Sequence, residues 1–176
     1  MRKLKNSELN RLDVEAFKAS QKTPLIVVLD NIRSLNNIGS VFRTSDAFAI
    51  EKIYLCGITA IPPNKEIHKT ALGATESVTW EYVEDTLDLV KKLKADKIVT
   101  VAIEQAENSV KLQDFSVLAD KKYAIVMGNE VKGVQQKVVD ACNYCIEIPQ
   151  FGTKHSLNIS VTTGVVIWDL LKQFQF

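Results

Sequence analysis

Cysteine, glycine and proline are all scarce in this 176-residue chain, at three, seven and four residues. So few glycines and prolines exclude collagen-like and low-complexity chains, and an odd, small number of cysteines makes no case for a disulfide scaffold. No apolar run approaches the roughly 20 residues that a membrane helix needs. Charge of one sign is lacking too, since 22 basic against 21 acidic side chains leave a formal net charge of +1. That balance argues against the strongly basic kind of nucleic-acid binder, at least for the molecule as a whole. What is present is ordinary: 46% hydrophobic and 24% charged residues, the composition of one soluble globular domain long enough to bury a proper core. The charged start Met1-Arg2-Lys3-Leu4-Lys5 has no apolar stretch behind it. The expectation is therefore no secretory leader and a reducing, cytoplasmic setting.

The even balance hides a split. Residues 1–22 carry six basic side chains (Arg2, Lys3, Lys5, Arg11, Lys18, Lys22) against three acidic (Glu8, Asp13, Glu15), a net of +3 that leaves −2 for the rest. Leu9, Leu12, Val14, Ala16 and Phe17 form an imperfect helical stripe after a Ser7 cap. This predicts a basic N-terminal helical extension over residues 1–22, ahead of one domain over residues 23–176. Such a helix suits an anionic partner, or docks with no partner at all.

From Pro24 onward, short apolar runs rich in β-branched residues alternate with helical patterns. Strands are predicted at 25–29, 52–56, 78–83, 98–103, 123–127 and 144–148, and helices over 37–49, 85–95, 134–142 and 156–173, with a short one at 66–72. The class is α/β, a mostly parallel sheet with helices on both faces. Ligands of such sheets gather at the carboxyl ends of the strands, so the loops that follow strands are where chemistry is sought.

Three of those loops stand out. After the first strand comes Asn36-Asn37-Ile38-Gly39-Ser40-Val41-Phe42-Arg43-Thr44, where Ile38, Val41 and Phe42 make an inner stripe. Asn36, Ser40 and Arg43 fall on the opposite face, which sets a bidentate guanidinium where a phosphate or carboxylate can meet it. The plain alternative is a helix capped by Asn36 or Asn37, with a solvated arginine. The second loop, Gly128-Asn129-Glu130-Val131-Lys132-Gly133, has the glycine spacing of a phosphate-binding P-loop, but Val134 and Gln135 stand where lysine and Ser/Thr are required. Nucleotide hydrolysis is thereby disfavoured, while Gly128 still permits close approach of backbone to a ligand. The third loop runs from Ile148-Pro149 through Lys154-His155-Ser156-Leu157-Asn158-Ile159-Ser160, with Ser156 or Asn158 placed to cap the last helix and Gly164 inside that helix predicting a close backbone contact.

Taken in order, Asn37-x-Gly39-x-x-x-Arg43-Thr44, Gly128-Asn129-Glu130-x-x-Gly133 and Ile148-Pro149 with Ser156-Leu157-Asn158-Ile159-Ser160 resemble the SpoU/TrmH family of RNA ribose 2′-O-methyltransferases, over about residues 24–172. The resemblance implies a C-terminal trefoil knot around an S-adenosylmethionine pocket, against the general rule that folds avoid knots. It implies Gly128, Ile148 and Leu157 as cofactor contacts, Arg43, Asn37, Glu130, Ser156 and Asn158 as the catalytic set, and a homodimer with the last helix at its interface. Glu130 is expected to pair with an arginine. Arg33, Lys132 and Lys154 are the expected RNA contacts, with transfer RNA or ribosomal RNA as substrate and neither metal nor membrane involved. The rival from another class is an RNA-binding or assembly protein that kept the fold without catalysis. Cys142-Asn143-Tyr144-Cys145 has the spacing of a metal pair, but no second pair accompanies it and His68 and His155 are the only histidines, so packing is the better reading.

Overall fold

β1 (Thr23–Asp30) is the pivot of the fold, buried from Leu25 to Asp30 because it has a parallel neighbour on each side, β2 (Ile50–Cys56) and β6 (Tyr123–Met127). Its register against β2 slips between Thr23 and Ile26, the stretch that holds Pro24, which has no N–H to give to a ladder. In this computed structural model, which describes residues 1–174, seven strands lie in the order β3-β2-β1-β6-β4-β7-β5. Here β3 is Trp80–Val83, β4 Val99–Ile103, β5 Val110–Lys111 and β7 Tyr144–Glu147. Every pairing is parallel. The six predicted strands are all there; β5, only two residues long, was not predicted. The last two residues of the expected 23–176 domain lie outside the described residues.

Alternation along β1 divides the core in two. Leu25, Val27 and Leu29 face a layer built from α2 (Leu35–Ala47), α3 (Lys65–Ala71) and α7 (Ile159–Leu171), through Ile38, Phe42, Ile67, Val166 and Leu170. Ile26 and Val28 face α5 (Thr86–Ala95) and α6 (Gln136–Ala141), through Leu89, Val90, Leu93 and Val138. A sheet covered on both faces needs apolar side chains at every position of its inner strands, which is why these runs are continuous rather than alternating. A one-turn helix, α4 (Ala74–Ser77), follows α3. Among the described residues no helix is long and apolar enough to cross a membrane.

Three local expectations are corrected. The N-terminal helix does not start at Ser7: residues 6–8 form a 3-10 turn, Asn10 takes a left-handed backbone at φ 46°, and α1 spans only Val14–Ala19. Asp13 is the cap, accepting from the Ala16 N–H at 2.8 Å, while Glu8 is engaged by Arg2 and the Lys5 N–H. α2 is capped by Ser34, which accepts from the Asn37 N–H at 3.3 Å, and not by Asn36 or Asn37. Gly164 has open space, since a Cβ there meets nothing nearer than a Thr44 methyl at 4.0 Å. The close helix contact is at Gly39, where a Cβ would stand 2.1 Å from Thr70 Oγ1 and 2.3 Å from the Ile67 carbonyl of α3.

From β1 the chain runs outward through β2 to β3, then crosses to the other side, where β6 is inserted between β1 and β4 and β7 between β4 and β5, so the direction of the crossovers reverses between β1 and β6. A sheet opens a crevice at the carboxyl ends of the strands beside such a reversal.

Candidate active site

Beside that reversal, at the carboxyl ends of β6, β4 and β7, lies a cleft of about 580 Å³, within the range of small-molecule sites. Its walls come from the ends of three adjacent strands and the start of α7: Ile103, Glu104 and Gln105 after β4, Met127 to Gly133 after β6, Glu147, Ile148 and Gln150 after β7, and His155 to Ile159. Seven of the residues expected at the site therefore share one cavity, namely Gly128, Glu130, Lys132, Ile148, Ser156, Leu157 and Asn158.

The 128–134 loop folds on itself. Asn129 and Gly133 exchange backbone hydrogen bonds at 3.0 and 2.8 Å, and Gly133 takes φ 66°. A Cβ on Gly128 would sit 2.2 Å from the Gly133 carbonyl carbon and the Val134 nitrogen, so Gly128 is required by the loop's own backbone before any ligand arrives. Side chains then bolt the loop to its neighbours. Asn129 donates to the Asn31 carbonyl at 2.6 Å and accepts from the Val131 N–H at 2.9 Å. Glu104, on the β4 side, accepts from the Val134 N–H and the Gln105 N–H, both at 2.9 Å.

Glu130 does the same on the β1 side, and its partners differ from the arginine side chain that was expected. Its carboxylate accepts from the backbone N–H groups of Arg33 and Ser34, each at 3.0 Å, and from the Asn37 amide at 3.2 Å. A carboxylate at the start of α2 meets unpaired N–H groups and the positive end of the helix dipole. Partial burial alone would raise the Glu130 carboxyl, but the bonds from Arg33, from its own N–H, from Ser34 and from Asn37 outweigh that and hold it below the usual glutamate range. Asn37 is thereby oriented: its nitrogen donates to Glu130 and its oxygen accepts from Asn158 Nδ2 at 3.1 Å. Asn158 caps α7 as expected, accepting from the Ser160 N–H at 2.9 Å. One chain of hydrogen bonds, Glu130 to Asn37 to Asn158, thus joins the three loops singled out in the sequence.

Arg43 is not part of that chain. It is exposed, lies farther along α2 than Asn37, and lines a different cleft of about 570 Å³ with Arg11, Leu12, Asp46 and Leu72. Arg33 brings its backbone rather than its exposed side chain to the site, and Lys154 stands exposed on the loop above the cleft without lining it. Glu104, Gln105 and Asn129 line the cleft and were passed over by sequence reading. The signal for the first two was available, as polar residues directly after an apolar strand. Among the described residues no cluster of His, Cys, Asp or Glu could hold a metal. Burial pushes the Cys142 thiol up to about 11 and raises that of Cys145, and both pack against the second core layer.

The model of the SpoU rRNA Methylase family matches residues 24–168. The chain belongs to this family. Among curated SpoU-type relatives, the 23S rRNA (guanosine-2′-O-)-methyltransferase RlmB of Vibrio parahaemolyticus is 29% identical, covering 94% of this chain and 66% of its own. Of solved structures, the TrmH/SpoU tRNA modifying enzyme of A. aeolicus superposes with a TM-score of 0.80 at 26% identity, over 91% of this chain and 80% of its own. The AdoMet-bound rRNA methyltransferase of Sinorhizobium meliloti gives 0.79 at 25%, over 91% and 60%. The fold of this chain is the SpoU/TrmH fold. It spans about two thirds of the length of its curated relatives.

Proposed function

We propose that this chain methylates RNA, transferring the methyl group of S-adenosylmethionine to a ribose 2′-hydroxyl of a transfer or ribosomal RNA in the cytoplasm. The observation that carries the reading is the Glu130–Asn37–Asn158 chain of hydrogen bonds, which gathers all three family motifs at one cleft. Membership of a family whose named relatives include a guanosine-2′-O-methyltransferase and an AdoMet-bound enzyme supports it. The non-catalytic alternative has no observation in its favour.

The cleft fits the cofactor in charge as well as size. Glu104, Glu130 and Glu147 line it against Lys132, an acidic surround suited to a cation, while Ile103, Met127, Ile148 and Leu157 supply apolar wall. Gly128, Ile148 and Leu157 hold the cofactor through backbone groups, and Ser156 lines the same cavity. When bound, the cofactor supplies a methyl group made electrophilic by the adjacent sulfonium. Asn37 and Asn158 would orient the ribose, so that its 2′-oxygen is held in place for the transfer. Arg43 keeps its proton, as a guanidinium does, grips the neighbouring phosphodiester and stabilises negative charge on the 2′-oxygen, whose proton passes to solvent water. Arg33, Lys132, Lys154 and the basic residues 1–22 hold RNA, the latter as an extension to the 23–176 domain. The segment after β7 carries the trefoil knot that the family resemblance implies.

This reading includes a homodimer in which Arg43 of one protomer serves the cleft of its partner. Support comes from Arg43 lying outside its own cleft, and from an exposed apolar stripe on α7 of Val161, Val165 and Trp168, 53%, 41% and 54% exposed. Transfer of labelled methyl groups from S-adenosylmethionine to unmodified transfer and ribosomal RNA, followed by mapping of 2′-O-methyl sites, tests it. Arg43→Ala should abolish transfer while leaving the calorimetric affinity for S-adenosylmethionine unchanged. Substantial transfer by Arg43→Lys would show that rigid bidentate geometry is not needed, and no heat of cofactor binding would sink the reading.

A further inference from the structure

Phe151 is 97% exposed, more than any other large apolar residue in the described chain except the terminal Met1. It sits on the segment between β7 and α7 that borders the cleft, directly after Gln150 and ahead of His155 and Ser156, all three of which line that cavity. The segment is tied down beyond it, where Gln105 Nε2 donates to the His155 carbonyl at 2.9 Å. Among the described residues the ring belongs to no aromatic pair and to neither core layer. Its surroundings are polar and cationic, with Gln150, Gly152, Thr153 and Lys154 beside it in sequence. On the loop opposite, Val131 is 73% exposed and lines the same cleft next to Lys132.

We propose that Phe151 is a stacking platform for an unpaired base of the RNA substrate, at or next to the nucleotide whose ribose enters the cleft. The inference rests on the RNA-methylating reading above and adds a specificity-determining residue to it. Sequence-specific RNA recognition is directed at unpaired nucleotides, and proteins hold such bases by stacking them on aromatic rings beside cations that meet the phosphates. Glu104, Glu130 and Glu147 among the lining residues disfavour phosphate inside the cleft, so the grip on RNA falls to the segments around it. There an aromatic face, Phe151, stands three residues from a cation, Lys154. A second copy of this chain is the other conceivable occupant. Its natural seat is the continuous aliphatic and aromatic stripe on α7; a lone ring among polar residues and a lysine is complementary to a nucleotide, with its flat apolar face and its charge.

The test uses the full chain, with filter retention on total transfer RNA and total ribosomal RNA, methyl transfer to the same RNA, calorimetry with S-adenosylmethionine, and sedimentation. Phe151→Ala should weaken RNA retention and raise the KM for RNA by about tenfold, the worth of one stacked base. Cofactor affinity and oligomeric state should not change. Phe151→Trp should restore both RNA parameters and show indole fluorescence quenched on adding RNA. Lys154→Ala should reduce the salt dependence of retention, which Phe151→Ala leaves alone. Retention by Phe151→Ala within twofold of the parent, or no retention by the parent chain, overturns the proposal. So does a fall to a smaller sedimenting species, which would assign the ring to a protein interface. Loss of methyl transfer and cofactor binding by the parent with RNA retention still sensitive to Phe151 would instead fault the enzymatic reading.

Discussion

At Glu130, one carboxylate takes three hydrogen bonds from residues more than ninety positions away in sequence. Nothing in the run Gly128 to Gly133 announces those partners; they exist because β1 and β6 are neighbours in the sheet. The motif was therefore legible, and the job of its acid was not. Glu130 was expected to meet an arginine side chain and meets arginine only as backbone. Its carboxyl is held below the usual range, so the ionised form stabilises the fold above the ordinary glutamate pKa and loses that contribution as pH falls through the lower folded value. Glu130→Gln should cost about 1 kcal/mol at pH 7, a figure kept small because the site is open to water. In urea titrations that gap between parent and variant should close below about pH 4. A gap unchanged down to pH 3 would mean that charge is not what matters there.

Among the elements, the inner strands were readable because burial on two faces leaves a continuous apolar run, as in Leu25 to Leu29. β5 was not, since two residues carry no period, and the N-terminal helix was misplaced because Ser7 and Asp13 offer rival caps that only the fold decides between. Glycine in helices shows the same limit. Gly164 looked like the packed one, yet the tight contact lies at Gly39, against the backbone of α3. Gly39→Ala should therefore destabilise by about 3 kcal/mol, because a carbonyl of a packed helix cannot step aside as a side-chain tip can. Gly164→Ala should stabilise the isolated protomer by roughly 0.5–1 kcal/mol, the ordinary gain in a helix. Thermal unfolding of both variants checks the pair, and a destabilised Gly164→Ala that still sediments as the parent does would refute the second.

For the whole molecule, near-neutral charge misleads if taken as an average. The +3 of residues 1–22 lies apart from the cleft, and Arg11 of that segment lines the same groove as Arg43. Deleting residues 1–20 should weaken RNA retention several-fold and leave affinity for S-adenosylmethionine alone; equal losses would make the segment structural. If the cleft of one protomer works with Arg43 of its partner, mixing inactive Arg43→Ala with inactive Asn158→Ala should recover up to about a quarter of parental methyl transfer by random pairing. No recovery after exchange of protomers would place every catalytic group on one chain.

The three glutamates around the cleft also bear on turnover. Giving up a methyl group turns a sulfonium into a neutral thioether. If the donor binds in this cleft as proposed, the acidic lining that favours the charged form would favour the uncharged product less, so the charge removed by the reaction would help to exchange used cofactor for fresh.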